Sequence, residues 1–321
     1  MRHNIVSVSG GKDSTALLLL ALERQTENLQ AVFADTGHEH PSTYEYVEYL
    51  NKEVFPIKTV KADFTEAIMR RRRRLEAIVD GKKDARNEKA KHQWNPETAK
   101  KALEFLHPTG IPFLDMCLSH GFFPSTLRRF CTTELKRNPM IEQVQLPLLD
   151  GGHEVYSWQG VRSDESLSRA NLPELEEVGG GLFNYRPILT WTVEDVFAMH
   201  DKYQVKPNPL YKQGMGRVGC MPCIHAKKDE ILEISKRFPE EFERVSQWEK
   251  LVSSVNVIGT AATFFSVDKF NLRIDTKDID IKEHGIWRAV EWSRTSRGGK
   301  QEDLFRSQEG PTCSSVYGLC E

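Results

Sequence analysis

The residues with the clearest chemistry are Ser9-Gly10-Gly11-Lys12-Asp13-Ser14. They follow an apolar run at 5–8, which reads as a buried strand, and precede a helical pattern at 15–22. A loop between a strand and a helix presents backbone N–H groups and the positive helix end to an anion. Paired glycines let that anion approach the backbone closely. Lys12 can balance phosphate charge, the serine hydroxyls add donors, and Ser7 on the preceding strand belongs to the same set. The pattern is not the P-loop signature, which needs Gly where Val6 stands and Ser or Thr where Asp13 stands. Asp13 or Ser14 is expected to cap the helix.

The cysteines form a second group. Cys220-Met221-Pro222-Cys223 places two thiols where they can bind one metal, and a distant loop can complete such a set. Cys131 follows Arg128-Arg129-Phe130, and Cys313 and Cys320 lie near the end of the chain. Cys131, Cys220, Cys223 and one of Cys313 or Cys320, with Cys117 in reserve, are the candidate ligands. A [4Fe–4S] cluster, zinc with His225 as a further ligand, and ordinary thiols are the three readings. His38 and His40 either bind metal or flank a nucleotide pocket.

Charge is unevenly spread. The chain has 321 residues and a net charge of −2, yet residues 70–101 hold twelve Lys/Arg against five acids. That is a local +7, which leaves −9 for the remainder. Arg70, Arg71, Arg72, Arg73 and Arg74 on a helical segment can track a phosphate backbone or form a solvated face. Trp94 can stack on a base or sit in the core.

These groups need elements to position them. Strand patterns near 5–8, 29–34 and 57–60 alternate with helical patterns at 15–22 and 41–54, and a further strand pattern falls at 154–160. Such alternation implies an α/β fold with a parallel sheet covered on both faces. The charged stretch from about 64 to 110 reads as a helical insertion. Thr192 is a helix cap, and Pro239 interrupts a helix over 228–250. The expected division is a nucleotide-binding domain over 1–205 and a cysteine-containing region with a tail over 206–321. The longest apolar run, 16–22, is seven residues, against ~20 for a membrane span. No secretory leader pattern is visible, so the expected location is the cytoplasm.

The 9–14 loop resembles the pyrophosphate-binding loop of the adenine nucleotide α-hydrolase (PP-loop) superfamily. Phe33-Ala34-Asp35-Thr36-Gly37 is similar to the segment that lies beside adenine and ribose in that superfamily. Gly160-Val161-Arg162 through Arg169-Ala170-Asn171-Leu172-Pro173 resembles the arginine-containing segment of phosphoadenylyl-sulfate (PAPS) reductases. The stretches 187–196 and Pro207-Asn208-Pro209-Leu210-Tyr211 resemble the helix and loop that follow it.

The resemblance implies a doubly wound, mostly parallel five-stranded sheet. It implies an adenine nucleotide, ATP or PAPS, held by the 9–14 loop, Asp35, Thr36, Gly37, Gly160, Arg162 and Arg169, with Mg²⁺. Reductases of this family carry a degenerate loop and a Cys-Cys pair; here Lys12 and Asp13 are retained, and Phe130 precedes Cys131. The retained loop implies ATP cleavage between the α and β phosphates, adenylation of an acceptor and sulfur transfer, on DNA or tRNA, with Lys12 and Asp13 as catalytic residues and a cysteine desulfurase as partner. The alternative is PAPS reduction to sulfite with Cys320 or Cys313 as nucleophile and thioredoxin as partner. A second alternative is a nucleotide- and DNA-binding regulator without turnover. A homodimer is in keeping with the family.

Overall fold

The computed structural model describes residues 1–84, 93–257, 259–270 and 274–296. The described residues form two compact units. The first is built from Met1–Ala62 and Glu134–Cys220, and the second from Asp63–Thr133 and the described residues within 221–296.

The first unit holds strands β1 (Arg2–Val8), β2 (Leu29–Asp35), β3 (Ile57–Lys61), β4 (Glu154–Trp158), β5 (Leu175–Gly179) and β6 (Leu182–Tyr185). Their order is β3-β2-β1-β4-β6-β5, parallel except for β5, which runs antiparallel to β6. Helices α1 (Lys12–Glu23) and α2 (Pro41–Glu53) connect the first three strands. Alternation along β1 explains why both faces are covered. Val6 and Val8 join Leu17, Leu18, Ile188 and Val196 on one face, while Ile5 joins Val32, Val60, Val144 and Val155 on the other.

The sheet has six strands rather than the expected five. The addition is the β5–β6 hairpin. Its outer strand is largely exposed and its inner strand only half-buried, so neither carries the apolar run that marks a central strand. Helix α1 starts at Lys12 with Gly11 as its cap. Neither Asp13 nor Ser14 caps it, because the Ser14 hydroxyl donates back to the Gly11 carbonyl (2.9 Å) and Asp13 faces two cations. Thr192 does cap its helix, in a reciprocal box with Asp195.

The second unit is helical. Helices α3 (Thr65–Val79), α4 (Pro96–Phe105) and α5 (Pro112–His120) pack with the helices Lys228–Arg237, Pro239–Ser254 and Ile286–Arg294 among its elements. The charged insertion therefore has its own core: α3 buries Ile68, Leu75 and Ile78, and Trp94 is buried. The break at Pro239 falls where expected. Among the described residues, no helix is long and apolar enough to cross a membrane.

Glu249, 0% exposed, accepts from the N–H groups of Phe264 (2.8 Å) and Ile286 (2.9 Å). Burial pushes its carboxyl up to about 7 despite those two bonds. A raised folded-state value means the folded form keeps the proton longer than the unfolded chain. Its contribution is thus full below about pH 4.5 and is lost as pH rises toward 7. Urea unfolding between pH 5 and 7.5 should show wild-type stability falling with pH relative to Glu249→Gln, by at most ~1.4 kcal/mol per pH unit. Parallel stability curves for the two proteins would contradict this.

Candidate functional site

The strand order changes direction at β1: the chain moves from β1 to β2 on one side and returns to β4 on the other. The carboxyl ends of β1 and β4 thus flank a switch point, where parallel α/β sheets bind ligands. The 9–14 loop lies there. Gly10 has φ +73°, and a Cβ at that position would lie 2.9 Å from Thr43 Cγ2 and 3.3 Å from Val47 Cγ2. A side chain would therefore need both a disfavoured backbone region and space that α2 occupies.

The loop is held from both ends. Ser9 N–H and Ser9 Oγ both reach Ser14 Oγ at 3.1 Å. The first helical bond of α1 runs from Thr15 N to Gly11 O, so the N–H groups of Lys12, Asp13 and Ser14 precede the ladder. Tyr211 Oη accepts from Lys12 N (2.9 Å), and Asn208 Nδ2 donates to Gly10 O (3.1 Å). His200, fully buried, places Nε2 2.9 Å from Lys12 O and Nδ1 3.3 Å from Val205 O. Burial lowers its pKa and favours the neutral ring, which donates to one of the two carbonyls. Gly160, just past β4, packs against the start of α1: a Cβ there would meet the Asp13 carbonyl at 3.3 Å.

Charge in the site centres on Asp13. Lys12 Nζ donates to Asp13 Oδ2 (2.8 Å), and Arg162 Nε donates to Asp13 Oδ1 (2.6 Å). Lys12 is 5% exposed and Arg162 3%. Arg162 also pairs with Asp164 (2.6 Å). Arg169 is only half-buried and pairs with Glu165 of the preceding 3₁₀ turn, which also accepts from the Arg162 N–H (3.4 Å). Ser7 is half-buried within β1.

The end of β2 forms a second polar group. Asp35 Oδ1 accepts from Gly37 N and from the Tyr44 hydroxyl, both at 2.8 Å. Thr36 donates through its hydroxyl to Glu39 Oε1 (2.7 Å) and through its N–H to Oε2 (3.2 Å). Tyr44 also donates to Glu39 Oε2 (3.0 Å), and burial beside these two carboxylates pushes its hydroxyl far above the ordinary value. It therefore remains a neutral donor. His40 caps α2 through Nδ1, and His38 is fully buried. Tyr211, Asn208, His200, Glu39 and Tyr44 were not foreseen as site residues. The Pro207–Tyr211 stretch was recognisable, but no local pattern shows that its Asn and Tyr return to the loop.

Among the described residues, Cys117, Cys131, Cys220 and Cys223 form no disulfide, and no group of three or more His, Cys, Asp or Glu is arranged to hold a metal. Cys220 Sγ lies 3.6 Å from Thr36 Oγ1 and 3.8 Å from Glu39 Oε1. Cys223 Sγ accepts from His225 N (3.5 Å). Cys313 and Cys320 lie outside the described residues. For Mg²⁺, each Asp13 oxygen already accepts from one cation, Lys12 or Arg162, so a metal there would share the carboxylate with them.

The arginine run is mostly engaged within its own unit. Arg71 donates to the carbonyls of Leu118 (2.6 Å), Ser119 (2.9 Å) and Val255. Arg72 donates to Leu103 O and Leu106 O, and Arg74 forms a two-pronged pair with Asp84. Arg73 pairs with Glu66 and is exposed, as is Arg70.

A glycine-containing loop with a buried lysine between a strand and a helix, at the switch point of a parallel sheet, is the arrangement of a phosphate-binding α/β protein. Residues 3–226 match the model of the phosphoadenosine phosphosulfate reductase domain. The chain belongs to the PAPS reductase family of the PP-loop adenine nucleotide α-hydrolase superfamily. It is 47% identical to an uncharacterized 37.8 kDa protein in the gpa 5′ region of Escherichia phage 186, over 99% of this chain and 96% of that one. It is 30% identical to an adenosine 5′-phosphosulfate reductase of Burkholderia cepacia, over 46% of this chain and 54% of the reductase. A crystal structure of PAPS reductase from Candida auris aligns with 68% of this chain and 81% of that one, at 17% identity and a TM-score of 0.38.

Gly10→Ala should cost ~1–2 kcal/mol for the left-handed backbone alone, with more from the Thr43 contact. Urea unfolding measures that cost. Wild-type stability in the variant would contradict the loop geometry.

Proposed function

We propose that the chain binds ATP with its triphosphate on the 9–14 loop, cleaves it between the α and β phosphates to adenylate an acceptor, and directs sulfur to that acceptor, a nucleic acid. The observation that carries this reading is the retained Lys12, buried at a helix start beside a glycine turn whose positive φ and packing against α2 fix the loop backbone. An acceptor oxygen attacks the α-phosphorus. The bond from that phosphorus to the bridging oxygen breaks, and pyrophosphate leaves with the electron pair.

Lys12, the Ser14 hydroxyl and the loop N–H groups stabilise charge on the departing pyrophosphate. Lys12 must first leave the Asp13 carboxylate for phosphate, and Arg162 remains to hold Asp13 in place. Mg²⁺, carried in by the phosphates, supplies further charge neutralisation. In the second step the outer sulfur of a desulfurase persulfide attacks the carbon whose oxygen carries the adenylyl group, and AMP leaves with that oxygen; a second thiol then attacks the inner sulfur, leaving the outer sulfur on the carbon and forming a disulfide.

PAPS reduction is the second reading, and the matched reductase domain over 3–226 favours it. There a cysteine thiolate, Cys313 or Cys320, attacks the sulfonyl sulfur, and the adenosine phosphate leaves. Thioredoxin dithiol then releases sulfite and becomes a disulfide.

Lys12→Ala separates turnover from binding. With acceptor present, pyrophosphate release from ATP should fall by about a hundredfold or more, the scale of losing one preorganised charge-stabilising group. An unchanged rate would remove the loop from the chemistry. Absence of pyrophosphate from the wild type, with sulfite formed from PAPS, would favour the second reading.

A further inference from the structure

The segment after α5 is built to display aromatic rings and cations rather than to bury them. Helix α5 ends at His120, and Gly121 follows at φ +81°. A Cβ on Gly121 would lie 2.8 Å from Arg71 Nη2 and 3.0 Å from the Val255 carbonyl, so the turn needs glycine there. Arg71 is the anchor, since its guanidinium collects the terminal carbonyls of α5. Phe123 then inserts into the core at 5.6 Å, edge-to-face, from Phe264. A tight turn closes next, with Ser125 N bonding Arg128 O and Arg128 N bonding Ser125 Oγ, both at 3.1 Å.

What this pinned base leaves outside is chemically specific. The rings of His120, Phe122 and Phe130 contact one another pairwise, with centroids 4.5 to 5.6 Å apart. Phe122 is 38% exposed and His120 is exposed. Leu127 at the turn is 93% exposed. Arg128 and Arg129 are exposed, and among the described residues their guanidinia make no hydrogen bond or ion pair. Arg71, Arg72 and Arg74, in the more conspicuous run, are already committed to carbonyls and a carboxylate.

We propose that His120, Phe122 and Phe130, with Arg128 and Arg129, form a docking platform for a single strand of nucleic acid. Bases stack on the rings and phosphates pair with the two guanidinia. Aromatic faces beside unpaired cations complement a strand that alternates planar bases with anionic phosphates. An acidic protein segment would satisfy the arginines but not the rings. The proposal deepens the reading of the acceptor as a nucleic acid, yet it is tested by binding alone, without nucleotide, so failure of the ATP chemistry would not decide it.

Fluorescence anisotropy of a labelled oligothymidylate with the full chain tests it, with circular dichroism and thermal unfolding to show that each variant folds. Phe122→Ala should weaken binding at least about fivefold, and Phe122→Tyr should restore it. Arg128→Ala/Arg129→Ala should lower the slope of log affinity against log salt by about 1.4, two single-strand phosphate contacts. Wild-type affinity in Phe122→Ala would overturn the proposal. So would polyglutamate binding as tightly as the oligonucleotide, or a salt slope lowered only by Arg70→Ala/Arg73→Ala.

Discussion

Asp13 is one carboxylate shared by two nearly buried cations, Lys12 and Arg162. Everything around the 9–14 loop follows from keeping that group in place. Removing charges from water is costly, and a buried cluster persists only when its geometry is good and its other hydrogen bonds are met. Asp13 joins α1 to the segment past β4, where Gly160 lets the two backbones touch. Tyr211, Asn208 and His200 fix the loop backbone from a third direction. In this arrangement Asp13 is the counter-ion of the free site. Lys12 is thus neutralised by Asp13, and under the proposed function an incoming phosphate would compete with Asp13 for it.

The second unit uses arginine in a comparable way. Arg71 and Arg72 terminate helices by collecting carbonyls that have no helical partner. Burial pushes the Arg71 guanidinium down to about 10, and it remains a cation at neutral pH. A run of five arginines is thus divided between internal caps and exposed charge. Its net contribution to the surface is smaller than its composition suggests.

Much of the first unit was legible in the sequence because its signals are local. The strand, glycine pair, lysine and helix are consecutive, and the alternation that follows specifies a parallel sheet. The β5–β6 hairpin was not legible, since a four-residue half-buried strand beside an acidic exposed one has no apolar signature. The Tyr211 hydroxyl reaches Lys12 across 199 positions, and no spacing rule encodes that approach. The fate of Arg71 was hidden for the same reason: its partners lie 47 and more positions away. The cysteine set was read from the Cys220–Cys223 spacing and from the family resemblance. Cys220 meets Thr36 and Glu39 and Cys223 meets the His225 N–H, and no metal-binding group of three forms among the described residues.

The central claim is that a loop with Lys12 and Asp13 intact is used for cleavage between the α and β phosphates of ATP. Phosphorus NMR of the purified chain incubated with ATP, Mg²⁺ and single-stranded nucleic acid, alongside a PAPS incubation assayed for sulfite, tests it most directly. The account predicts pyrophosphate with AMP or an adenylated acceptor from ATP, and no sulfite. Sulfite from PAPS with ATP left intact would contradict it.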